Sequence, residues 1–589
     1  MEKWFLRNVK ADLKEISQTF GVGILFSKIM VNRGIMEHGM MDSYIHPSLD
    51  KLHNPKLMRD MDLGVDMIMA SIEAGKKIRI VGDYDQDGTS AIVILHRGLN
   101  RCGAYVDYAI PHRIADGYGI NKRIVKEAKK DGIGLIITCD NGISAFEPIK
   151  LARELGMEVI ITDHHDIPHN NLEDGDREYQ FPDANAIINP KRQDCDYPFE
   201  ELCGAGVALK LVQALYNKMG IDIEESYEML EYAAMATVCD VVDLIDENRI
   251  IVKEGLERIN DSDNLGMMEL IRATGLGNRK IDTYSLGFIL GPCINASGRL
   301  DSADIAVELF LTDDIGEARR YADKLYGLNE ERKAMTAKGY ERVIQRIEHD
   351  GLDTSDVLVV YEPDIHESIA GIIAGKVKDR YYRPTIVLTQ SRDEGVVKGS
   401  GRSIEGYNIF AEVYKCKDLL GEFGGHPMAV GLSMNMDKVE DLSNRLNEQS
   451  DLTEEDLLPK IYIDAHLPLD YIDYKLIEEL QLLEPFGRAN PRPLFAERDI
   501  PVKKATVLGS NRNVLKLILS SRSGRNVEGI YFGDIERFDT RITDIFGEEE
   551  VSNMYKGIDN DIRLDLVYVP AINEYMGNRN LQIIIQNYR

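Results

Sequence analysis

The chain is poor in cysteine, carries a single tryptophan and has no long apolar run. Seven cysteines stand among 589 residues, and no two form a CxxC pair. That spacing argues against a disulfide framework and against a structural zinc site. Met1 to Gly21 shows no continuous apolar core and no small-residue cleavage pattern. Nowhere do about 18 apolar residues run together, as a membrane-spanning helix requires. The expectation is a soluble protein of a reducing cytoplasm with no membrane partner. Positive charge is also in deficit: 70 Lys plus Arg against 99 Asp plus Glu give a net −29. A generally basic surface for nucleic acid is thereby excluded. A local basic groove is not, nor is a site where cations neutralise phosphate. With 44% hydrophobic and 29% charged residues, wholesale disorder is excluded as well. At roughly 150 residues per domain the length suggests about four domains, or three with one of them large.

The pattern along the chain supports an α/β protein with five segments. Residues 1–70 are read as an N-terminal helical cap on the domain that follows. From 71 to 310 short apolar runs alternate with helical stretches: Lys77–Val81, Tyr105–Ile110, Leu135–Thr138 and Val159–Thr162 read as strands. This rhythm predicts a parallel sheet covered on both faces, followed by a helical extension. Residues 311–349 read as a connector helix whose charges leave too little apolar surface for a core helix. Residues 350–458 return to strand and helix as a second α/β domain. Residues 459–589 carry short strands, including Ile461–Ile463 and Val514–Leu519, and read as a small β-barrel or sandwich. Asp174–Gln180 is the best candidate for a disordered loop.

Four segments carry metal-compatible side chains: Gly82-Asp83-Tyr84-Asp85-Gln86-Asp87-Gly88, Thr138-Cys139-Asp140-Asn141-Gly142, Thr162-Asp163-His164-His165 and Ala236-Thr237-Val238-Cys239-Asp240. Three of them follow predicted strands, where sites form in an open parallel sheet. Asp83 and Asp85, two residues apart in extended chain, point the same way. Converging carboxylates repel unless cations lie between them, and oxygen donors with one or two imidazoles suit Mn²⁺ and, less tightly, Mg²⁺. A pair of such ions about 3.5–4 Å apart can activate water and clamp a phosphoryl group. Taken singly, each residue has a plainer reading. A lone Asp after a strand caps a helix, and a lone cysteine such as Cys139 fills a core.

The Gly-Asp-Tyr-Asp-Gln-Asp-Gly and Asp-His-His segments resemble the DHH phosphoesterase superfamily. Within it the chain is similar to the bacterial RecJ-type single-strand-specific 5′→3′ exonucleases over nearly its whole length. The resemblance implies a parallel-sheet DHH domain, a long connector helix, a DHH-associated α/β domain and an OB-like β domain. It implies two divalent cations. Asp83 holds one, Asp85 the other, Asp140 bridges them, and His164 with Asp240 complete the second. His165 lies just outside, aimed at phosphate or water, and Asp163 orients the histidines. Asp87 and Thr89 shape the turn and helix start.

Further motifs follow on the same footing. Arg113, in Pro111–Gly119, offers a planar fork of donors for phosphate. Asn295 and Arg299, in Asn-Ala-Ser-Gly-Arg-Leu, are implied to support the nucleotide or the metal domain. Lys398-Gly399-Ser400-Gly401-Arg402-Ser403 and Gly424-Gly425-His426-Pro427 resemble the substrate-binding motifs of the second domain, with the first holding a 5′-phosphate. The chain departs from the family pattern at Cys293, where Arg is usual. It departs again at Ser368, at Lys376, and at Ala489 in the Leu483–Pro491 linker, where Gly is usual. Lys503, Lys504, Arg512, Lys516, Arg522 and Arg525 interleave with the last strands and could track a single strand.

The implied activity is metal-dependent hydrolysis of single-stranded DNA from its 5′ end to 5′-mononucleotides, in DNA repair and recombination. A helicase and a single-strand-binding protein are the implied partners of a monomeric enzyme. Two other readings compete: a phosphodiesterase of short oligonucleotides or cyclic dinucleotides, and a degenerate strand-binding scaffold. The first is disfavoured by the extra C-terminal barrel, the second by the intact cluster.

Overall fold

The computed structural model describes residues 2–113, 116–171, 177–509, 512–575 and 577–589. They fall into two units, one built from 52–242 and 254–459, the other from 2–51, 243–253 and 460–589.

In the first unit five parallel strands lie in the spatial order Tyr105–Ala109, Lys77–Val81, Ile133–Cys139, Glu158–Thr162, Ala186–Ile188. Burial on both faces explains the near-continuous apolar sequences of the central strands Ile133–Cys139 and Glu158–Thr162. Val81, Ile136, Val159 and Ile161 pack under the helices Lys122–Lys130 and Phe146–Glu154. Ile160, on the other face, meets Gly64 of the helix Met61–Glu73. The order runs second, first, third, fourth, fifth, so chain direction across the sheet reverses between Lys77–Val81 and Ile133–Cys139. Ligands of open α/β sheets bind at such a reversal, beyond the carboxyl ends of the strands.

The connector is one helix, Ile315–Asp350, of 36 residues and about 54 Å. Ala318, Ala322, Leu325, Asn329, Thr336, Gly339, Val343 and Ile347 form its buried stripe at spacings of three, four and seven. Asp314 caps its start by accepting from the Glu317 amide, and Gly351, at φ 67°, ends it. Beyond it a mixed five-stranded sheet runs Leu420–His426, Ala429–Asn435, Val396–Arg402, Thr385–Gln390, Leu358–Tyr361, with only the last pair parallel.

In the second unit the strands Phe495–Leu508, Val514–Ser520, Asn526–Tyr531, Asn578–Tyr588 and Arg563–Tyr575 pair in sequence around a ring. The last pairs with the first and closes a barrel.

The sequence expectations change at four places. Residues 2–51, expected to cap the following domain, pack with 460–589 instead: Lys3–Leu6 pairs in parallel with Lys460–Ile463, and Phe26, Ile29 and Met30 join the barrel's core. The strand at Ile461–Ile463 therefore belongs to that pairing and not to the barrel wall. The long strand Phe495–Leu508 was not foreseen. Of the loop expected at Asp174–Gln180, residues 174–176 lie outside the described residues, while Arg177–Tyr179 is a strand paired with His169–Asn171. Among the described residues no helix is long and apolar enough to cross a membrane.

Candidate active site

The carboxyl ends of the three central strands deliver the acidic residues to one place. Asp83 leaves Lys77–Val81 and is buried, and its Oδ1 has no hydrogen-bond partner among the described residues. Asp85 caps the helix Gln86–Arg101 by accepting from the Asp87 and Gly88 amides at 3.0 and 3.1 Å. The helix start passes so close to Asp83 that a Cβ on Gly88 would lie 2.5 Å from the Asp83 nitrogen. Asp140 leaves Ile133–Cys139 in the left-handed region at φ 58°. A Cβ on Gly204 would stand 2.5 Å from the Asp140 Cβ, so glycine is required at the start of the helix Gly204–Met219. Asn141 fastens the strand ends, donating to the Val81 and Cys139 carbonyls and accepting from the Ile120 amide. Asp240 closes the helix Leu230–Cys239.

Asp163 anchors both histidines. Its Oδ1 accepts from the amides of His164 and His165 and from His165 Nδ1 at 2.7 Å; its Oδ2 accepts from the Ile143 amide. Burial alone would raise its pKa, but His165 and these donors bring it down to about 2. An ionised Asp163 accepts only, so Nδ1 of His165 carries the proton and Nε2 faces outward. For His165, burial pulls downward, and the Asp163 carboxylate outweighs it and lifts the pKa to about 9. His164 is buried, which lowers its pKa to about 4 and leaves it a neutral ligand. Its Nε2 lies 3.1 Å from Asp140, 3.6 Å from Asp87 and 3.8 Å from Asp240.

Among the described residues three overlapping sets result, in each of which the donor atoms lie within 4.8 Å of one another: Asp83, Asp85, Asp140; Asp140, His164, His165; and Asp87, His164, Asp240. Burial first, and then neighbouring carboxylates, push the pKa values of Asp83, Asp140 and Asp240 well above the carboxylate range. An orphaned buried carboxylate oxygen and mutual repulsion among carboxylates are what a cation would relieve. The donor set fits divalent ions of the Mn²⁺ and Mg²⁺ kind. Asp87 is the addition to the sequence reading. Its two oxygens also accept from the Gly204 and Ala205 amides at 2.6 and 2.7 Å, so it holds the helix start as well as facing His164.

Arginines gather opposite this cluster. The Arg113 guanidinium lies 4.6 Å from the centre of the Tyr84 ring. Arg299 donates to the Ser368 carbonyl at 2.6 Å, tying its helix to the second domain. Burial, with Arg113 and Arg332 nearby, lowers its pKa to about 10. Arg402 is lowered by burial and by Arg113, and its guanidinium holds the Ser400 hydroxyl at 2.8 Å. Arg332 of the connector helix was missed in sequence. It is a cation on the buried stripe, held by Asn329, whose amide in turn lies 3.4 Å from Cys293. Cys293 is itself buried and adds no charge.

A cleft of about 400 Å³ is lined by Arg113, Ser368, Lys398, Gly399, Phe423 and Gly424, with Glu367 and Glu422 at its walls. Not every residue singled out in the second domain reaches it. Gly401 faces the core, where a Cβ would meet Ile409 and Val430 at 2.8 Å. Ser403 is buried and donates to the Tyr407 carbonyl. Gly425 and His426 continue the strand to its turn, outside the lining, and His426 Nδ1 accepts from the Met428 amide. Asn295 lies behind the acidic loop, accepting from the Gln86 amide at 2.8 Å. In the barrel, Lys516 and Arg522 are paired with Glu528 and Glu497, and Arg525 donates to the Leu469 and Ile472 carbonyls. These three serve the barrel's own structure.

Comparison with known proteins gives matches along the chain. Residues 77–237 match the family model of the DHH family N-terminal domain, 354–450 that of the DHHA1 domain, and 463–587 that of the RecJ OB domain. The single-stranded-DNA-specific exonuclease RecJ of Bacillus subtilis is 35% identical over 590 residues, covering 99% of this chain and 70% of the relative. That of Salmonella typhimurium is 34% identical over 550 residues, covering 90% of each. Among solved structures, RecJ of Thermus thermophilus in complex with Mn²⁺ superposes with a TM-score of 0.81 at 25% identity, covering 100% of this chain and 79% of that one.

Proposed function

The chain belongs to the RecJ family of single-stranded-DNA-specific exonucleases, and on that premise we propose that it removes mononucleotides stepwise from the 5′ end of single-stranded DNA. The observation that carries this is the trio of donor sets linked through Asp140 and His164, with Arg113 and Lys398 lining the cleft of the second domain. Asp83, Asp85, Asp140, His164 and Asp240, with Asp87 beside them, would hold two divalent cations, Mn²⁺ in preference to Mg²⁺. Bound there, such ions supply charge that offsets the phosphoryl oxygens and makes water a competent nucleophile.

The chain's own residues do the rest. Water attacks the phosphorus of the first internucleotide linkage, the bond to the 3′-oxygen breaks, and that oxygen leaves with a proton. His165, held by Asp163, presents Nε2 to the phosphate as a donor, and its neighbour Tyr118 lies 3.2 Å away. Arg113 offers further donors where charge develops. Ser400 with Arg402, and Arg299 with Arg332, are the groups we assign to the terminal 5′-phosphate, which would set the one-nucleotide step. The five-segment division of the chain assigns catalysis to the first α/β domain, end recognition to the second, and strand capture to the barrel. The setting we infer is cytoplasmic, with a monomeric enzyme fed by a helicase and a single-strand-binding protein.

A digestion series tests the reading: 5′-phosphorylated single-stranded DNA, the same sequence as duplex, an RNA, and a dinucleotide, each with Mn²⁺, Mg²⁺ or a chelator. The expected result is metal-dependent release of 5′-mononucleotides from the single strand. Activity confined to the dinucleotide would overturn it.

A further inference from the structure

The helical run 283–300 contains five residues, Leu286–Leu290, wound as a π-helix immediately before the α-helix Gly291–Leu300 that carries Asn295 and Arg299. Such turns sacrifice hydrogen-bond geometry and concentrate at functional positions. This one packs against the end of the helix that delivers Asp240. A Cβ on Gly287 would lie 3.5 Å from Val238, and Cys239 Sγ reaches the Leu286 carbonyl at 3.6 Å. Leu286 and Leu290 are buried. The other side of the turn is apolar and open. Tyr284 is 61% and Phe288 68% exposed, their rings stacked with centroids 4.9 Å apart and planes at 23°. Val241, directly after Asp240, is also 57% exposed, at a φ of 59° that a β-branched residue adopts only under strain.

Asn295 and Arg299 follow Phe288 by seven and eleven residues on the same helical run. The run itself meets the acidic loop at Asn295, which accepts from the Gln86 amide, and at Gly298, where a Cβ would run into the Tyr84 carbonyl; Phe288 stands about 10 Å along the axis from Asn295. Two stacked aromatic faces open to solvent, next to a site for a polyanionic strand, supply what the arginines do not: a surface for the bases. Every base has a π-face, so such a surface binds without regard to sequence.

We propose that Tyr284 and Phe288 form a nucleobase-stacking ledge beside the Asp240 end of the active site, on which the bases of the single strand rest while its phosphates engage the cluster. This rests on the single-strand exonuclease reading and adds two residues to its binding surface. The competing view is that the rings only steady their own helix, as aromatic pairs four residues apart do.

The test compares a single-stranded 30-mer with a strand of equal length that is abasic throughout. Tyr284→Ala/Phe288→Ala should raise KM on the base-bearing strand at least about fivefold, the lower bound for loss of one base stack. On the abasic strand the rise should stay below about twofold, since no stack is there to lose. Equal changes on both strands, or none on either, would overturn the ledge. A second measurement does not depend on turnover. Trp4 is the only tryptophan, so Trp4→Phe/Phe288→Trp carries its sole indole on the ledge. Emission should be quenched by oligothymidine in the presence of chelator, and unquenched emission at saturating strand would count against the proposal. Parent enzyme inactive on the 30-mer would refute the exonuclease reading itself. Normal parent activity with unresponsive variants would refute the ledge alone.

Discussion

Replacing Asp140 by Asn removes one charge from the centre of the cluster and little else. Asp140 belongs to two of the three donor sets, and its backbone lies in the left-handed region at φ 58°. Asn tolerates that conformation, whereas Ala would add backbone strain and confuse the result. The Asn side chain also keeps an oxygen for the contact with His164 Nε2. At separations under 4.8 Å and an effective dielectric near 20, each carboxylate pair repels by roughly 3–4 kcal/mol when both are ionised. Burial and this repulsion already raise the pKa values of Asp140 and its neighbours, so only part of that energy is recovered on substitution, about 1–3 kcal/mol. Without metal, the transition of the unit containing Asp140 should therefore move up by about 1–4 °C by scanning calorimetry. With Mn²⁺, the parent should gain further stability by mass action and the variant much less. Turnover on a 5′-phosphorylated single strand should fall about a thousandfold or more, since several kcal/mol of transition-state stabilisation is lost. A variant that melts lower than the parent without metal, is stabilised by Mn²⁺ as the parent is, and turns over within tenfold of it would refute the reasoning.

Two other substitutions probe separate parts of the molecule. Arg402→Gln removes the guanidinium that holds the Ser400 hydroxyl. KM for a 5′-phosphorylated strand should rise by about tenfold or more, as for loss of a charge-assisted hydrogen bond, with little change for a 5′-hydroxyl strand. Paired steady-state assays on the two ends check it. Ala489 occupies a left-handed position at φ 57°, where a side chain costs about 1–2 kcal/mol and glycine costs nothing. Ala489→Gly should stabilise its unit by about 0.5–1 kcal/mol after the extra chain entropy is counted, read as a higher denaturation midpoint with unchanged slope.

The legible parts of the sequence were those where local pattern and tertiary role coincide. Strands such as Ile133–Cys139 are apolar on both faces because helices cover both, and Asp or Asp-His-His directly beyond such runs marks a site. The strand Phe495–Leu508 escaped notice because Asp499, Pro501 and two lysines break its alternation, and a register shift between Glu497 and Ile500 accommodates the break. The docking of residues 2–51 on the barrel depends on pairing across more than four hundred residues, Lys3 with Lys460, for which no local signal exists. In the second domain, period-two alternation along Val396–Arg402 would have separated Ser400 and Arg402 from Gly401, which turns to the core. Arg332 was discoverable too: it stands seven residues after Leu325 and four before Thr336, a cation on an otherwise uncharged stripe.

Diffraction from crystals grown with Mn²⁺, recorded near the manganese absorption edge, tests most directly whether this cluster is a two-cation centre. Two anomalous peaks should appear about 3.5–4 Å apart, one bounded by Asp83, Asp85 and Asp140, the other by Asp140, His164 and Asp240. Peaks only at surface carboxylates, with the cluster empty at saturating Mn²⁺, would contradict it.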